Sequence, residues 1–178
     1  MTLIALLALT SCTRSTPNVL PATAAPFLPK ASVRELMDAE VDPSADVLWE
    51  SVVYTVTAEG ADDKQPRTPE EWQAVRRGAL TLIEAMNLLM MDRRAVAAPG
   101  TPLSPGEGSI EVRQHRFDTN RAAFVGFAQA LQNLGLKALD AIDARDAQQL
   151  VQVGGEIDEA CEACHLVYWY PPEPKTQR

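Results

Sequence analysis

Five consecutive residues near the end of the chain, Cys161-Glu162-Ala163-Cys164-His165, carry the sharpest chemistry in the sequence. Cys-x-x-Cys-His is the pattern of covalent c-type haem attachment. On a helix, positions three apart share a face, so both thiols reach the vinyl groups of one porphyrin and add to them as thioethers. His165 follows directly and presents its imidazole to the iron as proximal ligand. Two other chemistries use the same residue types. A thioredoxin-like dithiol places Cys-x-x-Cys after a strand, at the start of a helix; here the motif lies deep in a helical pattern, near its end. A structural zinc site takes four ligands. Beyond these three residues only His115 or a carboxylate is on offer, with no second cysteine pair. Haem uses two of the three cysteines and leaves Cys12 for another role.

The elements that position the motif read as helices. Trp72, Val75, Ala79, Leu82, Met86 and Leu89 recur at steps of three and four. Phe124, Phe127, Leu131, Leu134, Ala138 and Ile142 form a second stripe, and Leu150, Val153, Ile157, Cys161, Cys164 and Tyr168 a third. Each set falls on one helix face. The spacing is close to that of helices packed nearly parallel in a bundle. Thr68-Pro69-Glu70-Glu71 reads as a capping box with Pro at the first helical position, and Asp146-Ala147-Gln148-Gln149 has the same form. Asp118 or Thr119 is expected to cap the third helix. The short turn from Asp143 to Asp146 makes the last two helices antiparallel neighbours. Ahead of these, Ser32 to Val41 is amphipathic, and a break or kink is expected at Pro43, with Asp42 capping a continuation through Val52. Val52 to Val56 alternates as a short extended piece. Arg93 to Arg116, with three Pro and three Gly, is expected as a long loop.

Composition sets the class. The 178 residues are 46% hydrophobic and 22% charged, enough for one globular domain. Sixteen Lys and Arg against 24 Asp and Glu give a formal charge of −8, which disfavours a nucleic-acid partner. Residues 1–11 run from an apolar stretch into small residues, as a secretory signal does. Leu9-Thr10-Ser11-Cys12 resembles the lipobox of bacterial lipoproteins. That resemblance implies cleavage before Cys12 and acylation of its sulfur, which attaches a protein to a membrane without a spanning helix. Residues 12–30, with Pro17, Pro21, Pro26 and Pro29, form a tether leaning toward polyproline II, at ~3.1 Å per residue. The fold then covers residues 31–170, and 171–178 are a tail that Pro171, Pro172 and Pro174 keep from being helical. Covalent haem suits an exported protein, so the two ends of the chain agree.

Four helices with Cys-x-x-Cys-His close to the C-terminus resemble the class II cytochromes c: the cytochrome c′ group and its Met-ligated relatives. Tyr168, an aromatic three places after the histidine, is similar to the family as well. The resemblance implies an all-α fold, an antiparallel four-helix bundle with one haem c on the C-terminal helix. It implies that Cys161 and Cys164 hold the haem and His165 its iron. It also implies that a residue of the first helix faces the other side of the iron. Met37 is the candidate sixth ligand; if it is a core side chain, Leu36 takes that place. Met86, Met90 and Met91 read as packing. Trp49, Trp72 and Trp169 line the haem pocket or fill the core. Arg34 serves a haem propionate or is a solvated helix arginine. The basic residue that relatives carry after the aromatic is Trp169 here.

The function expected is electron transfer, not catalysis, because no substrate pocket with an acid–base pair is evident. The protein would be a lipid-anchored periplasmic cytochrome of a Gram-negative bacterium, docking briefly on a redox partner with a basic patch. Two alternatives stand beside it: a five-coordinate cytochrome c′-like protein binding nitric oxide or carbon monoxide, and a haem subunit of a larger oxidoreductase. Homodimers through the first two helices are common among such relatives, and the sequence leaves that open.

Overall fold

The computed structural model describes residues 27–58 and 60–170. The expected signal at 1–11, Cys12, most of the tether and the 171–178 tail lie outside them. The described chain is mostly helical, with one two-stranded sheet. Its elements are α1 (Val33–Leu36), a π-helical turn (Met37–Val41), α2 (Asp42–Ser51), β1 (Val53–Thr57) and β2 (Gly60–Lys64), followed by α3 (Pro69–Leu89), α4 (Ile110–Thr119), α5 (Arg121–Asp143) and α6 (Ala147–Tyr168). No described helix is long and apolar enough to cross a membrane.

Helix starts follow from their caps. Ser32 and Glu35 form a reciprocal capping box at α1, as Thr68 and Glu71 do at α3; each satisfies donors that the first helical turn leaves free. Asp146 accepts from the Gln149 N–H at 2.9 Å and opens α6.

The break or kink expected at Pro43 takes the form of a widened turn, and the chain stays helical across it. Proline has no N–H, so the carbonyl four residues before it loses a partner. The chain stays helical by widening one turn ahead of the proline. The Asp42 N–H donates to the Met37 carbonyl, five residues back, and regular helix resumes at once with Pro43 in its first turn. Asp42 therefore closes the widened turn that Met37 opens, and does not cap α2.

The loop expected to reach Arg116 is shorter. Its Pro and Gly residues do loop as far as Gly108, but Ser109 then accepts from the Val112 N–H and starts α4. This short helix is polar outside and buries Arg113 and Phe117. It meets α5 at Asn120, and neither Asp118 nor Thr119 caps α5.

Helix α3 packs on α5, α5 on α6, and α2 on both α3 and α6. The first stripe is buried along its whole length. The other two are buried except at Phe127, Leu134, Cys161 and Cys164, which are half-buried. Contact between α3 and α5 is close enough that a Cβ on Gly135 would stand 2.9 Å from Ile83 Cγ1. The C-terminal carbonyls of α3 are held by arginines, which complement the negative helix end. Arg121 Nη2 donates to the Met90 and Met91 carbonyls at 2.7 and 2.9 Å, and Arg94 Nε to that of Leu88 at 3.1 Å. The extended piece expected near Val53 is β1. It pairs antiparallel with β2, Val53 opposite Lys64, and β2 was not foreseen.

Candidate functional site

Cys161 and Cys164 lie one turn apart on the face of α6 that packs toward α5 and the first helix, and both are free, half-buried thiols. They line an apolar cleft with His165 and Ala160 of α6, Phe124, Phe127, Ala128 and Leu131 of α5, and Leu89 of α3. The π-turn side contributes Met37, Val41 and Asp42. The four residues singled out as haem and iron ligands thus share one site. Met37 is there because the π-turn places it, Val41 and Asp42 on the cleft side together.

Burial dominates the electrostatics of the thiols. It pushes Cys161 up to about 11, with Asp42 and Asp158 adding negative potential, and Cys164 up to about 12, with Cys161 adding to the rise. Both thiols stay protonated at neutral pH. A reactive dithiol needs the opposite, a lowered pKa in an electropositive setting. Asp42, exposed at the mouth of the cleft, is itself pushed up by the partial desolvation there, an effect that His165 opposes and Asp38 and Asp46 reinforce.

The donor set suits haem: two thiols on one face, an imidazole one residue on, a thioether on a second element and an apolar lining. The cleft encloses about 30 Å³, room for one water, so a macrocycle enters only if the lining moves apart. Among the described residues no three His, Cys, Asp or Glu side chains are grouped to hold a metal ion. Haem iron asks less of the chain, one or two axial ligands.

The remaining candidates fall elsewhere. His115 is exposed on α4, outside the cleft. Met86 is buried core, and Met91 Sδ lies 3.7 Å from Arg94. Trp49 donates to the Gly154 carbonyl at 2.9 Å and joins α2 to α6, while Trp72 is core at the start of α3. Trp169 neighbours the motif, its ring 6.2 Å from that of His165. Tyr168 is buried among Phe117, Phe124 and Phe127, and its hydroxyl donates to the Asn120 carbonyl at 2.9 Å where α4 meets α5. Arg34 is partly buried and pairs with Glu107 at 2.9 Å. Comparison with family models, curated proteins and solved structures returns no match.

Sequence reasoning passed over Asp42 as a cleft residue and Glu107 altogether. Asp42 had only part of a signal: Pro43 after a helical stripe marks a disturbed turn, without saying which side chains that turn brings to the cleft. Glu107 had none, because the side chains it joins, Trp169 and Arg34, are 62 and 73 residues away.

Proposed function

We propose that the chain is a c-type cytochrome that carries electrons through one covalent haem c, built as an antiparallel four-helix bundle. In this reading the first helix is α1, the π-turn and α2 together, and α4 is a prelude to the third. Cys12 would carry lipid and hold the protein at a periplasmic membrane surface. The observation that supports this best is that Met37, Cys161, Cys164 and His165 line the same apolar cleft.

Bound haem iron supplies a centre that gains or loses one electron. The chain's residues do the rest. Cys161 and Cys164 would hold the haem as thioethers, each S–H adding across a vinyl group with no further reactant. His165, in the last turns of α6, would supply the imidazole to the iron. Met37, a soft thioether, would favour the reduced iron and so raise the potential. Phe124, Phe127 and Leu131 exclude water, which keeps the surroundings similar in both oxidation states. Asp38, Asp42, Asp46, Asp158 and Glu162 are exposed near the cleft on α2, the π-turn and α6. This acidic rim suits a partner with a basic patch and an association rate that falls with salt.

Visible spectra of the protein matured with haem test the reading. Covalent haem lost in the Cys161→Ser/Cys164→Ser double variant, with a low-spin spectrum and a weak far-red Met–Fe(III) band lost in Met37→Ala, is the expected result. A high-spin spectrum that responds at once to carbon monoxide replaces the electron carrier with the gas-binding alternative. No covalent haem in the wild type refutes both.

A further inference from the structure

We infer that Glu107 is a positioning residue for the two iron-ligand segments, joining them through a single buried carboxylate. The inference rests on the haem reading above. Its side chain is 4% exposed. Oε1 accepts from Arg34 Nη1 at 2.9 Å and from Trp169 Nε1 at 3.0 Å; Oε2 accepts from the Ser104 N–H at 2.9 Å. Arg34 stands three residues before Met37, and Trp169 four residues after His165. The connection is doubled in the backbone, where the Gly108 N–H donates to the Trp169 carbonyl at 3.1 Å. On the other side of the loop, the Val33 and Arg34 N–H groups donate to the Ala95 and Val96 carbonyls at 2.9 and 3.0 Å.

Arg113 makes the carboxylate hard to replace. Its guanidinium is fully buried, 3.7 Å from Glu107 Oε2 and 4.5 Å above the Trp169 ring, and among the described residues none of its three nitrogens has a hydrogen-bond partner. Two cations thus lean on one anion. Removing the anion leaves a buried unpaired charge beside a second like charge, the arrangement that costs most in a protein interior. A brace needed only for stability is served as well by apolar contacts, which carry no such cost. This one ends on the helix of Met37 and on the turn after His165, so it sets the separation between the two ligand segments.

The test uses the full chain matured with haem, as wild type, Glu107→Gln and Trp169→Phe, with Arg76→Gln as a control at the exposed Arg76–Asp143 pair. Glu107→Gln is expected to lose the far-red Met–Fe(III) band and to bind carbon monoxide about tenfold faster, the worth of one charge-assisted hydrogen bond. Trp169→Phe keeps an aromatic ring beside Arg113 but removes the indole N–H that donates to the carboxylate; a rise of about tenfold fits the loss of that one charge-assisted bond. In the haem-free chain, amide exchange at Val33–Met37 and at Trp169 should quicken together in both variants. Arg76→Gln should change none of these. Should Glu107→Gln fail to fold, Trp169→Phe decides by the same readouts. A retained Met–Fe(III) band with an unchanged carbon monoxide rate in folded variants overturns the positioning role and leaves the cytochrome reading intact. Wild type without covalent haem, or with haem and no Met–Fe(III) band, overturns it at the level of the site.

Discussion

Two sides of the molecule are held by opposite means. Along α3 and α5, Ala79, Leu82, Met86, Leu131 and Ala138 are buried apolar core, Gly135 lets Ile83 come close, and the polar contacts stand at the margin, where Gln132 Nε2 donates to the Ile83 carbonyl at 3.1 Å and Arg121 to the end of α3. Across the first helix, the loop through Gly108 and the end of α6, the contact is one carboxylate, two guanidiniums and an indole. Apolar packing is non-directional and scales with area. Charge-assisted hydrogen bonds fix angles and distances, and they fail abruptly when one partner goes. The lesson is a division of labour. The seam between α3 and α5 supplies stability, and the Glu107 corner sets where Met37 and His165 stand.

The largest effect that would break this contrast is on the seam. Gly135→Val pushes a branched side chain into Ile83, at a site where even a Cβ stands 2.9 Å from Cγ1. Overpacking of this kind costs about 2–3 kcal/mol, read as a drop in denaturant midpoint at unchanged slope. A loss below about 1 kcal/mol would mean that the seam yields and is not the rigid side.

Acid sharpens the contrast next. Burial alone would raise the Glu107 carboxyl, but the Ser104 N–H, Arg34, the Trp169 indole and Arg113 together hold it below its ordinary 4.5. A group depressed in the folded state contributes stability above its unfolded pKa and loses it as pH falls through the folded value. Glu35, held down by the Ser32 N–H and hydroxyl, adds to the same side. Glu71 at the start of α3 titrates likewise, so the comparison is with central α3 amides such as those of Leu82 and Met86. Below pH 4.5, amides of Val33–Met37 should exchange faster before those central amides do, and Glu107→Gln should remove most of that acid step. If both sets quicken in parallel, the two sides are one cooperative unit.

The same division decided what the sequence could show. Stripes at steps of three and four place Leu82, Leu131 and Ile157 in the core before any coordinates, because burial imposes a period on a helix. The caps at Thr68 and Asp146 are legible because they are local. So is the Cys161–His165 motif, whose residues are neighbours in the chain. The first helix is read only in part: proline announces a disturbance at Pro43, but not that one wider turn absorbs it. Strand β2, Gly-Ala-Asp-Asp-Lys, has no strand propensity of its own and exists through its pairing with β1. The Glu107 corner is invisible because nothing periodic joins Arg34, Glu107, Arg113 and Trp169. A buried arginine such as Arg113 is also what sequence rules place outside.

The smallest effect tests whether the two sides are independent. The turn between α5 and α6 puts Arg145 at φ 55°, where its N–H donates to the Ile142 carbonyl at 3.0 Å and the Asp146 N–H to that of Ala141 at 2.9 Å. A side chain in this left-handed region is strained, while glycine is not. Arg145→Gly relieves the strain but frees the unfolded chain, so the net gain should be about 0.5 kcal/mol, seen as a small rise in denaturant midpoint. The turn lies at the other end of α5 from Asn120 and the Tyr168 contact, roughly 30 Å away at 1.5 Å per residue. Distant sites without shared partners add. The rise should therefore leave the acid step at Val33–Met37 in place when combined with either Glu107 form. A shifted acid step would show that α5 transmits strain along its length, and that the seam takes part in placing Met37 and His165.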